Sequence, residues 1–310
     1  KDITIYLDSE GNASIIAADV DDGSNDDMGD VTISIDKNSF TCNDLGDNTL
    51  TLTVTDEAGN SNSCTSTVTI VDNIPPEINL VAPFEVQLGA TGNVSITANR
   101  INAGSTDNCS VASIRINKTT FDCSDLGENN VALTVTDTSG NRAIGTTVVT
   151  VVDNMAPTIT SCSPDITVNS DPSSCEAKLE LETPETADNC SIAEITNNAP
   201  EFFPLGATTI MWVVTDISGN EATCITVVTV LDVTAPTIIC PSDVMVNSDP
   251  GTCVATLVLE TPETADNCEV KEITNNAPEM FPLGETAVLW VVTDTSGNIA
   301  TCEQLVTVED

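Results

Sequence analysis

Apolar residues recur at every second position in four stretches of the chain, always in the same phase relative to the turn that follows. The stretches are Leu50, Leu52, Val54; Val131, Leu133, Val135; Ile210, Trp212, Val214; and Val288, Trp290, Val292. Period-two alternation places one face in a core and the other in water, so each reads as a half-buried β-strand. A second strand follows each, ending Val68-Thr69-Ile70-Val71, Val149-Thr150-Val151-Val152, Val228-Thr229-Val230-Leu231 and Val306-Thr307-Val308. Between the two lies Asp-x-(Ala/Ser)-Gly-Asn, starting at Asp56, Asp137, Asp216 and Asp294. Its glycine supplies the positive φ of a hairpin turn. Trp212 and Trp290 share the inward phase, which assigns them to the core rather than to a ligand platform.

The turn motif repeats at spacings of 81, 79 and 78 residues. A proline linker follows each of the first three: Asp72-Asn73-Ile74-Pro75, Asp153-Asn154-Met155-Ala156-Pro157 and Asp232-Val233-Thr234-Ala235-Pro236. Repeats take precedence over a domain count from length. They divide the chain into residues 1–73, 74–154, 155–233 and 234–310. The last two units are near copies, with ETPETADNC at both Glu182–Cys190 and Glu260–Cys268. Shorter strands separated by prolines and asparagines precede each hairpin. The fold class expected is all-β: four tandem immunoglobulin-like β-sandwiches in an extended rod. Ten-residue strands span roughly 33 Å, so four units make a rod on the order of 130–160 Å. The chain opens at Lys1-Asp2-Ile3, already in a strand, and reads as an excerpt from a longer array. It holds no apolar run near 18 residues, so no membrane insertion is expected of it.

Composition narrows the function. Acidic residues number 48 against 8 basic ones, for a formal charge of −40, which opposes nucleic acid and anionic lipid. There is no histidine, hence no Ser-His-Asp triad and no imidazole ligand or proton shuttle. Aromatics at 3 % are too few for stacking platforms, whereas 40 % hydrophobic residues suffice for packed cores. No catalysis is expected. Asp137-Thr138-Ser139-Gly140 and Asp294-Thr295-Ser296-Gly297 approach an aspartic-protease motif, but the serine breaks its spacing. The Asn-x-Ser/Thr sequons at Asn12, Asn93, Asn108, Asn117 and Asn189 would be chance in a bacterial protein, whereas in a eukaryotic one they would support secretion.

Twelve cysteines, none in zinc-ribbon spacing, point to disulfides and an oxidising, extracellular compartment. Eight fall in three recurring places: the Cys of Asp-Asn-Cys (Cys109, Cys190, Cys268), a Cys four residues before the glycine of Leu-Gly (Cys42, Cys123), and one in the last strand (Cys64, Cys224, Cys302). Each unit fills two places. Pairing within units then gives Cys42–Cys64, Cys109–Cys123, Cys190–Cys224 and Cys268–Cys302, which requires the three places to lie together. The other four give Cys162–Cys175 and Cys240–Cys253. In a four-cysteine unit three pairings are open.

These residues also carry a resemblance. Thr237-Ile238-Ile239-Cys240-Pro241, Cys253, Asp266-Asn267-Cys268, Phe281-Pro282-Leu283-Gly284 and Asp294-Thr295-Ser296-Gly297-Asn298 with Cys302 resemble the hyalin repeat, or HYR, domain. The third unit matches equally, with Cys162-Ser163-Pro164 at its start. The first two units lack the early cysteines, and Asp26-Asp27-Met28 replaces Asp-Asn-Cys in the first. With Phe40-Thr41-Cys42 and Phe121-Asp122-Cys123, they are similar to repeats of very large surface adhesins of gliding and marine Bacteroidota. The resemblance implies an immunoglobulin-like fold and a role in adhesion.

Sandwich geometry gives the acidic loops a purpose. Up-and-down strands return the Glu-Thr-Ala-Asp-Asn loop and the final hairpin turn to the pole that meets the incoming linker. The sets expected to gather are Asp72, Asn73, Asp107 and Asp137; Asp153, Asn154, Glu185, Asp188 and Asp216, with Asn220; and Asp232, Glu263, Asp266 and Asp294, with Asn298. Three carboxylates with amide or backbone oxygens suit calcium, which takes 6–8 oxygen ligands, better than magnesium. The competing reading is that Asp and Asn merely form turns. A further cluster, Asp19, Asp21, Asp22, Asp26 and Asp27, reads as an extra calcium site, although its glycine is misplaced for an EF-hand. The function expected is an extracellular adhesive stalk stapled by disulfides and stiffened by calcium at its joints. Its partners would be other copies of the array or a surface ligand, protein or glycan. The alternatives are a homotypic filament subunit and a carbohydrate-binding array of a secreted protein.

Overall fold

In the computed structural model, which describes all 310 residues, the alternating stretches are the long hairpins at the centre of four sheets. The chain divides into two compact units, Lys1–Asn154 and Met155–Asp310. The first repeat shows the plan. Its strands are β1 (Ile3–Tyr6), β2 (Asn12–Ser14), β3 (Thr32–Ile35), β4 (Ser39–Thr41), β5 (Gly46–Thr55) and β6 (Ser61–Val71). One sheet runs in the order β1-β6-β5-β3 and the other pairs β2 with β4. The strand β1 joins β6 in parallel, Ile3 opposite Val68 and Tyr6 opposite Val71, while β6, β5 and β3 are antiparallel. The other three repeats build the same four-stranded sheet around Gly127–Asp137 with Arg142–Val152, Gly206–Asp216 with Glu221–Leu231, and Gly284–Asp294 with Ile299–Glu309. The architecture is therefore all-β, made of repeated sandwich units. No helix is long and apolar enough to cross a membrane.

The hairpin turns follow from their residues. Gly59, Gly140, Gly219 and Gly297 have φ of +86°, +93°, +88° and +92°, a region that costs other residues steric strain. The alternating positions are the core: Leu50 and Leu52 pack with Phe40, Val68 and Ile70 in the first repeat, and Trp212 with Phe203, Ile210 and Val228 in the third. Both tryptophans are buried and keep their indole N–H paired. Trp212 Nε1 donates to Thr226 Oγ1 at 3.2 Å, and Trp290 Nε1 to Gln304 Oε1 at 3.1 Å.

The cysteine pairings differ from all six expected. Cys162–Cys224 and Cys240–Cys302 lie within a repeat, with Cα–Cα distances of 6.1 and 5.7 Å, and tie the segment just after the short first strand (Thr158–Ser161, Thr237–Ile239) to the last strand. Cys42–Cys109 and Cys175–Cys268 join successive repeats, at 5.4 and 4.7 Å. Cys64 and Cys253 are free and exposed. These bonds overturn Cys42–Cys64, Cys109–Cys123, Cys190–Cys224, Cys268–Cys302, Cys162–Cys175 and Cys240–Cys253. Cys123 and Cys190 are disulfide-bonded too, but Cys109 and Cys224 are already taken.

The reason is strand length. Cys42 sits where β6 ends, its Sγ 3.7 Å from the carbonyl of Gly11 in the loop after β1. Cys64 lies seven residues before Val71 on β6, roughly 23 Å up the strand, far beyond the ~7 Å a bridge allows. The Asp-Asn-Cys loop is at the opposite pole from Cys42, so the two meet only across a joint. Gly11 makes that close approach workable: a Cβ there would come within 2.7 Å of both Cys42 Sγ and the Asn108 carbonyl.

The second repeat replaces the within-repeat bridge by packing. Gly145 stands opposite Leu133, as Cys224 stands opposite Trp212. Ile78 and Leu80 cover it so closely that a Cβ would meet them at 2.9 and 3.0 Å. Non-reducing peptide mapping of the purified chain should therefore recover Cys42–Cys109, Cys162–Cys224, Cys175–Cys268 and Cys240–Cys302. Cys64 and Cys253 should alkylate without denaturant. Recovery of Cys42–Cys64 or Cys162–Cys175 would contradict this arrangement of poles.

Candidate metal centre at the repeat junctions

Each hairpin turn is held by its own aspartate. Asp137 Oδ1 accepts the Asn141 backbone N–H at 2.8 Å, and Oδ2 accepts from Asn141 Nδ2 at 2.8 Å. The Asn141 amide also donates to the linker carbonyls of Asp72, at 3.1 Å, and Ile74, at 3.4 Å. One asparagine thus closes the turn and grips the preceding linker. The linker aspartate is buried against that turn. Asp72 Oδ1 accepts from Ile74 N at 3.1 Å and Asn108 Nδ2 at 3.2 Å, and Oδ2 accepts from Ser139 Oγ at 3.2 Å.

The Asp-Asn-Cys loop completes the joint. Asp107 Oδ2 accepts from the backbone N–H groups of Cys109 and Ser110, at 2.9 and 3.1 Å. Asn108 Nδ2 reaches back to the Asp8 carbonyl at 3.2 Å, and Cys109 is bonded to Cys42. On the other side of the joint, Cys42 is presented by a tight turn. Thr41 N donates to Asp44 Oδ2 at 2.8 Å, Asn43 N donates to Thr41 Oγ1 at 3.3 Å, and Lys37 pairs with Asp44 at 2.5 Å. That Lys37 hydrogen bond, with the Thr41 N–H, holds the Asp44 carboxyl below its usual value.

The structure brings Asp72, Asp107 and Asp137 together, with one oxygen from each within 4.8 Å of the others. Asp107 Oδ1 and Asn108 Oδ1 are buried there without a hydrogen-bond donor. Oxygen acceptors lacking donors suit a hard cation. Asn73, from the same expected set, is exposed instead.

In the second unit, Asp232, Asp266 and Cys268 form the corresponding group. Cys268 is bonded to Cys175, so its sulfur is no thiolate ligand. Asp266 Oδ2 accepts from Cys268 N at 2.9 Å, and Asp232 Oδ1 accepts from Thr234 N at 3.1 Å and Asn267 Nδ2 at 3.4 Å. Asp232 Oδ2, Asp266 Oδ1 and Asn267 Oδ1 are buried without donors. Asp294 stays outside this group, although its two oxygens accept from Asn298 N and Nδ2, both at 2.7 Å, as those of Asp137 do from Asn141; Asn298 Nδ2 also donates to the Asp232 carbonyl at 3.2 Å. Glu263, an expected ligand, is exposed on the short strand Glu263–Ala265.

Of the remaining set, Asp153 and Asn154 close the first unit. Within the second, Glu185 is exposed on Glu185–Ala187, and Asp188 Oδ2 accepts from Cys190 N at 2.9 Å. Asp216 accepts from Asn220 N and Nδ2, both at 2.8 Å, and Asn220 Nδ2 donates to the Met155 carbonyl at 3.2 Å. The acidic cluster of the first repeat is corrected. Asp19 accepts from Ile16 N at 2.8 Å, Asp21 from Ser24 and Gly23, and Asp26 from Met28 N at 3.1 Å. Those carboxylates cap successive local turns rather than converge on one point. The asparagines of Asp-Asn-Cys, absent from the expected ligands, hold the joint. Their recurrence beside each cysteine was the available signal.

The HYR domain profile matches residues 152–230 and 231–308, a little over half of the chain. The chain belongs to the HYR domain family. Over 271 residues it is 29 % identical to hyalin of Lytechinus variegatus, a match covering 83 % of this chain and 51 % of that protein. It is also 29 % identical over 272 residues to hyalin of Strongylocentrotus purpuratus, covering 83 % of this chain and 22 % of that protein. The chain thus spans about half the length of the first relative and about a fifth of the second. Among solved structures, Sidekick-1 immunoglobulin domains 1–5 align with all of this chain and 79 % of that one, at 12 % identity and a TM-score of 0.35.

The turn carboxylates of the two HYR repeats give a pH test. Burial raises the Asp216 and Asp294 carboxyls, but the Asn220 and Asn298 hydrogen bonds outweigh it and hold both below their ordinary 3.8. A lowered folded value stabilises the fold above the unfolded value, and the contribution is lost as pH falls below it. Asp294→Asn should therefore lower the melting temperature at neutral pH, and the gap to wild type should close below about pH 3.8. A gap independent of pH would assign the loss to side-chain shape instead of charge.

Proposed function

We propose that this chain is a segment of an extracellular adhesive repeat array whose joints are fixed by inter-repeat disulfides and by calcium. The observation that carries the reading is the joint itself. Buried oxygens of Asp107 and Asn108, and of Asp232, Asp266 and Asn267, lack donors at joints that a disulfide already crosses. A cation drawing on those oxygens offsets the repulsion among the carboxylates and restricts the bend between repeats. Oxygen-only donors favour calcium over softer metals, and a set this irregular favours it over octahedral magnesium.

Membership of the HYR family, hyalin-type relatives and the oxidised cysteines support placing the array outside the cell. The array reading takes in the first two repeats as well, whose Phe40-Thr41-Cys42 and Phe121-Asp122-Cys123 resemble bacterial surface adhesins. The contacts made by such an array would be with further copies of itself or with a surface protein or glycan.

Calorimetric titration of the EDTA-stripped chain should show calcium uptake at about 10⁻⁴–10⁻³ M and much weaker magnesium binding. At ten times Kd each site adds about 1.4 kcal/mol to stability. Asp107→Asn and Asp266→Asn should each remove one site while leaving the disulfides in place. No calcium heat and an unchanged melt would leave the joints held by hydrogen bonds and disulfides alone.

A further inference from the structure

The loop Ser170-Asp171-Pro172-Ser173-Ser174-Cys175 is a receptor for an Asp-Asn-Cys loop. Cys175 is bonded to Cys268, and Asn267 Nδ2 lies 3.3 Å from Ser170 Oγ and 3.4 Å from the carbonyls of Asp171 and Ser174. The fourth repeat carries the same loop as Ser248-Asp249-Pro250-Gly251-Thr252-Cys253, with the same backbone hydrogen bonds, and there Thr252 Oγ1 also donates to the Asp249 carbonyl at 2.9 Å. Asp171 N and Asp249 N donate to the Glu176 and Val254 carbonyls, both at 2.8 Å. Ser174 N and Thr252 N donate to the Asp171 and Asp249 carbonyls, both at 3.0 Å. Ser170 N and Ser248 N donate to the Leu231 and Glu309 carbonyls, again both at 2.8 Å. Each loop runs into a two-residue strand paired with Phe-Pro, Glu176–Ala177 on Phe203–Pro204 and Val254–Ala255 on Phe281–Pro282. In the fourth repeat the thiol is free and exposed.

We propose that Cys253, with the Ser248 hydroxyl and the Asp249 and Thr252 carbonyls, is a docking site for the Asp-Asn-Cys loop of another HYR repeat. The asparagine amide is read by the three oxygens, as Asn267 is read in the third repeat, and the cysteine is captured covalently. When the incoming cysteine arrives as a mixed disulfide with a small thiol, the Cys253 thiolate attacks its Sγ and the small thiol leaves as thiolate. One disulfide breaks and one forms, the departing thiolate takes up the proton Cys253 gave up, and no net oxidation is needed. Cys64 is the internal control, an exposed thiol in the middle of a strand without such a loop.

The test uses the unmodified chain in EDTA, which makes it independent of calcium. The probe is the peptide Thr-Ala-Asp-Asn-Cys-Glu, activated as a mixed disulfide with thionitrobenzoate. Mass spectrometry should find it on Cys253, formed about tenfold faster than on Cys64, the equivalent of about one net hydrogen bond. Replacing the peptide's asparagine by alanine should remove that preference. Equal labelling of Cys253 and Cys64 would overturn the proposal. A second arm appends another copy of residues 233–310 after Asp310 and refolds the whole with oxidised glutathione, which is reduced to two thiols per bridge formed. Cys253 should then be found linked to the Asp-Asn-Cys of the added copy. If the added copy forms its own bridge equivalent to Cys240–Cys302, and so has folded, while Cys253 still alkylates, the proposal fails.

Discussion

Carboxylates buried at a joint between two sandwiches set the terms for the rest of this structure. Asp72 is 5 % exposed and Asp137 is 2 % exposed, and each shares the joint with Asp107. Removing such charges from water costs several kcal/mol per ion unless hydrogen bonds or a counter-charge offset it. The ion pairs go elsewhere. Lys37 and Lys118 pair with Asp44 and Asp125 and lie over the rings of Phe40 and Phe121, while Lys178 pairs with Glu201. The joint instead uses amides: Asn108, Asn141 and the backbone N–H groups of Ile74, Cys109 and Ser110. With the Ser139 hydroxyl they satisfy both oxygens of Asp72 and Asp137 but only one of Asp107, which leaves Asp107 Oδ1 and Asn108 Oδ1 buried without donors.

The disulfides belong to the same design. Asp107 accepts from the N–H of Cys109, the residue that crosses the joint to Cys42, so the acidic loop and the covalent tie are one element. Closing 67 residues between Cys42 and Cys109 removes about 4 kcal/mol of unfolded-state freedom on a chain-entropy argument. That contribution depends on both repeats being folded, because neither repeat alone holds the pair. The bridges Cys162–Cys224 and Cys240–Cys302 do a different job, pinning the segment between the first two strands of a repeat onto its own four-stranded sheet.

Features set by local physics were legible in the sequence. Alternation fixed the faces of Leu52, Trp212 and Val292, and the glycine of Asp-x-x-Gly-Asn marked the turn, because both are short-range effects. The cysteine pairing was not, because counting within units assumes that bonded residues share a unit. Cys42 and Cys175 occupy different places in their repeats, one after β4 and one after the first long-sheet strand, yet both reach the next Asp-Asn-Cys. No spacing reveals that equivalence. Glu185 and Glu263 misled for another reason. Their loop is partly strand, paired with Thr158–Ser161 and Thr237–Ile239, and the pleat turns the glutamates outward. Asp137 and Asp294 sit in the same motif, but only the first lies within 4.8 Å of its neighbours' carboxylates, a difference the motif does not carry.

The asparagine of the hairpin turn makes the repeats more than beads on a string. In tandem-repeat proteins stability is approximately a sum of terms within repeats and terms between neighbours. Asn141 and Asn298 enter both terms with one amide group, donating to their own turn aspartate and to the preceding linker carbonyl. Release of the linker therefore loosens the turn, and an opened turn releases the linker. The turn lies at the end of the longest hairpin of the sheet, whose inward residues form the core. A joint anchored there transmits bending into the packed core of each sandwich, through the strands that carry Val131 to Val135 and Val288 to Val292.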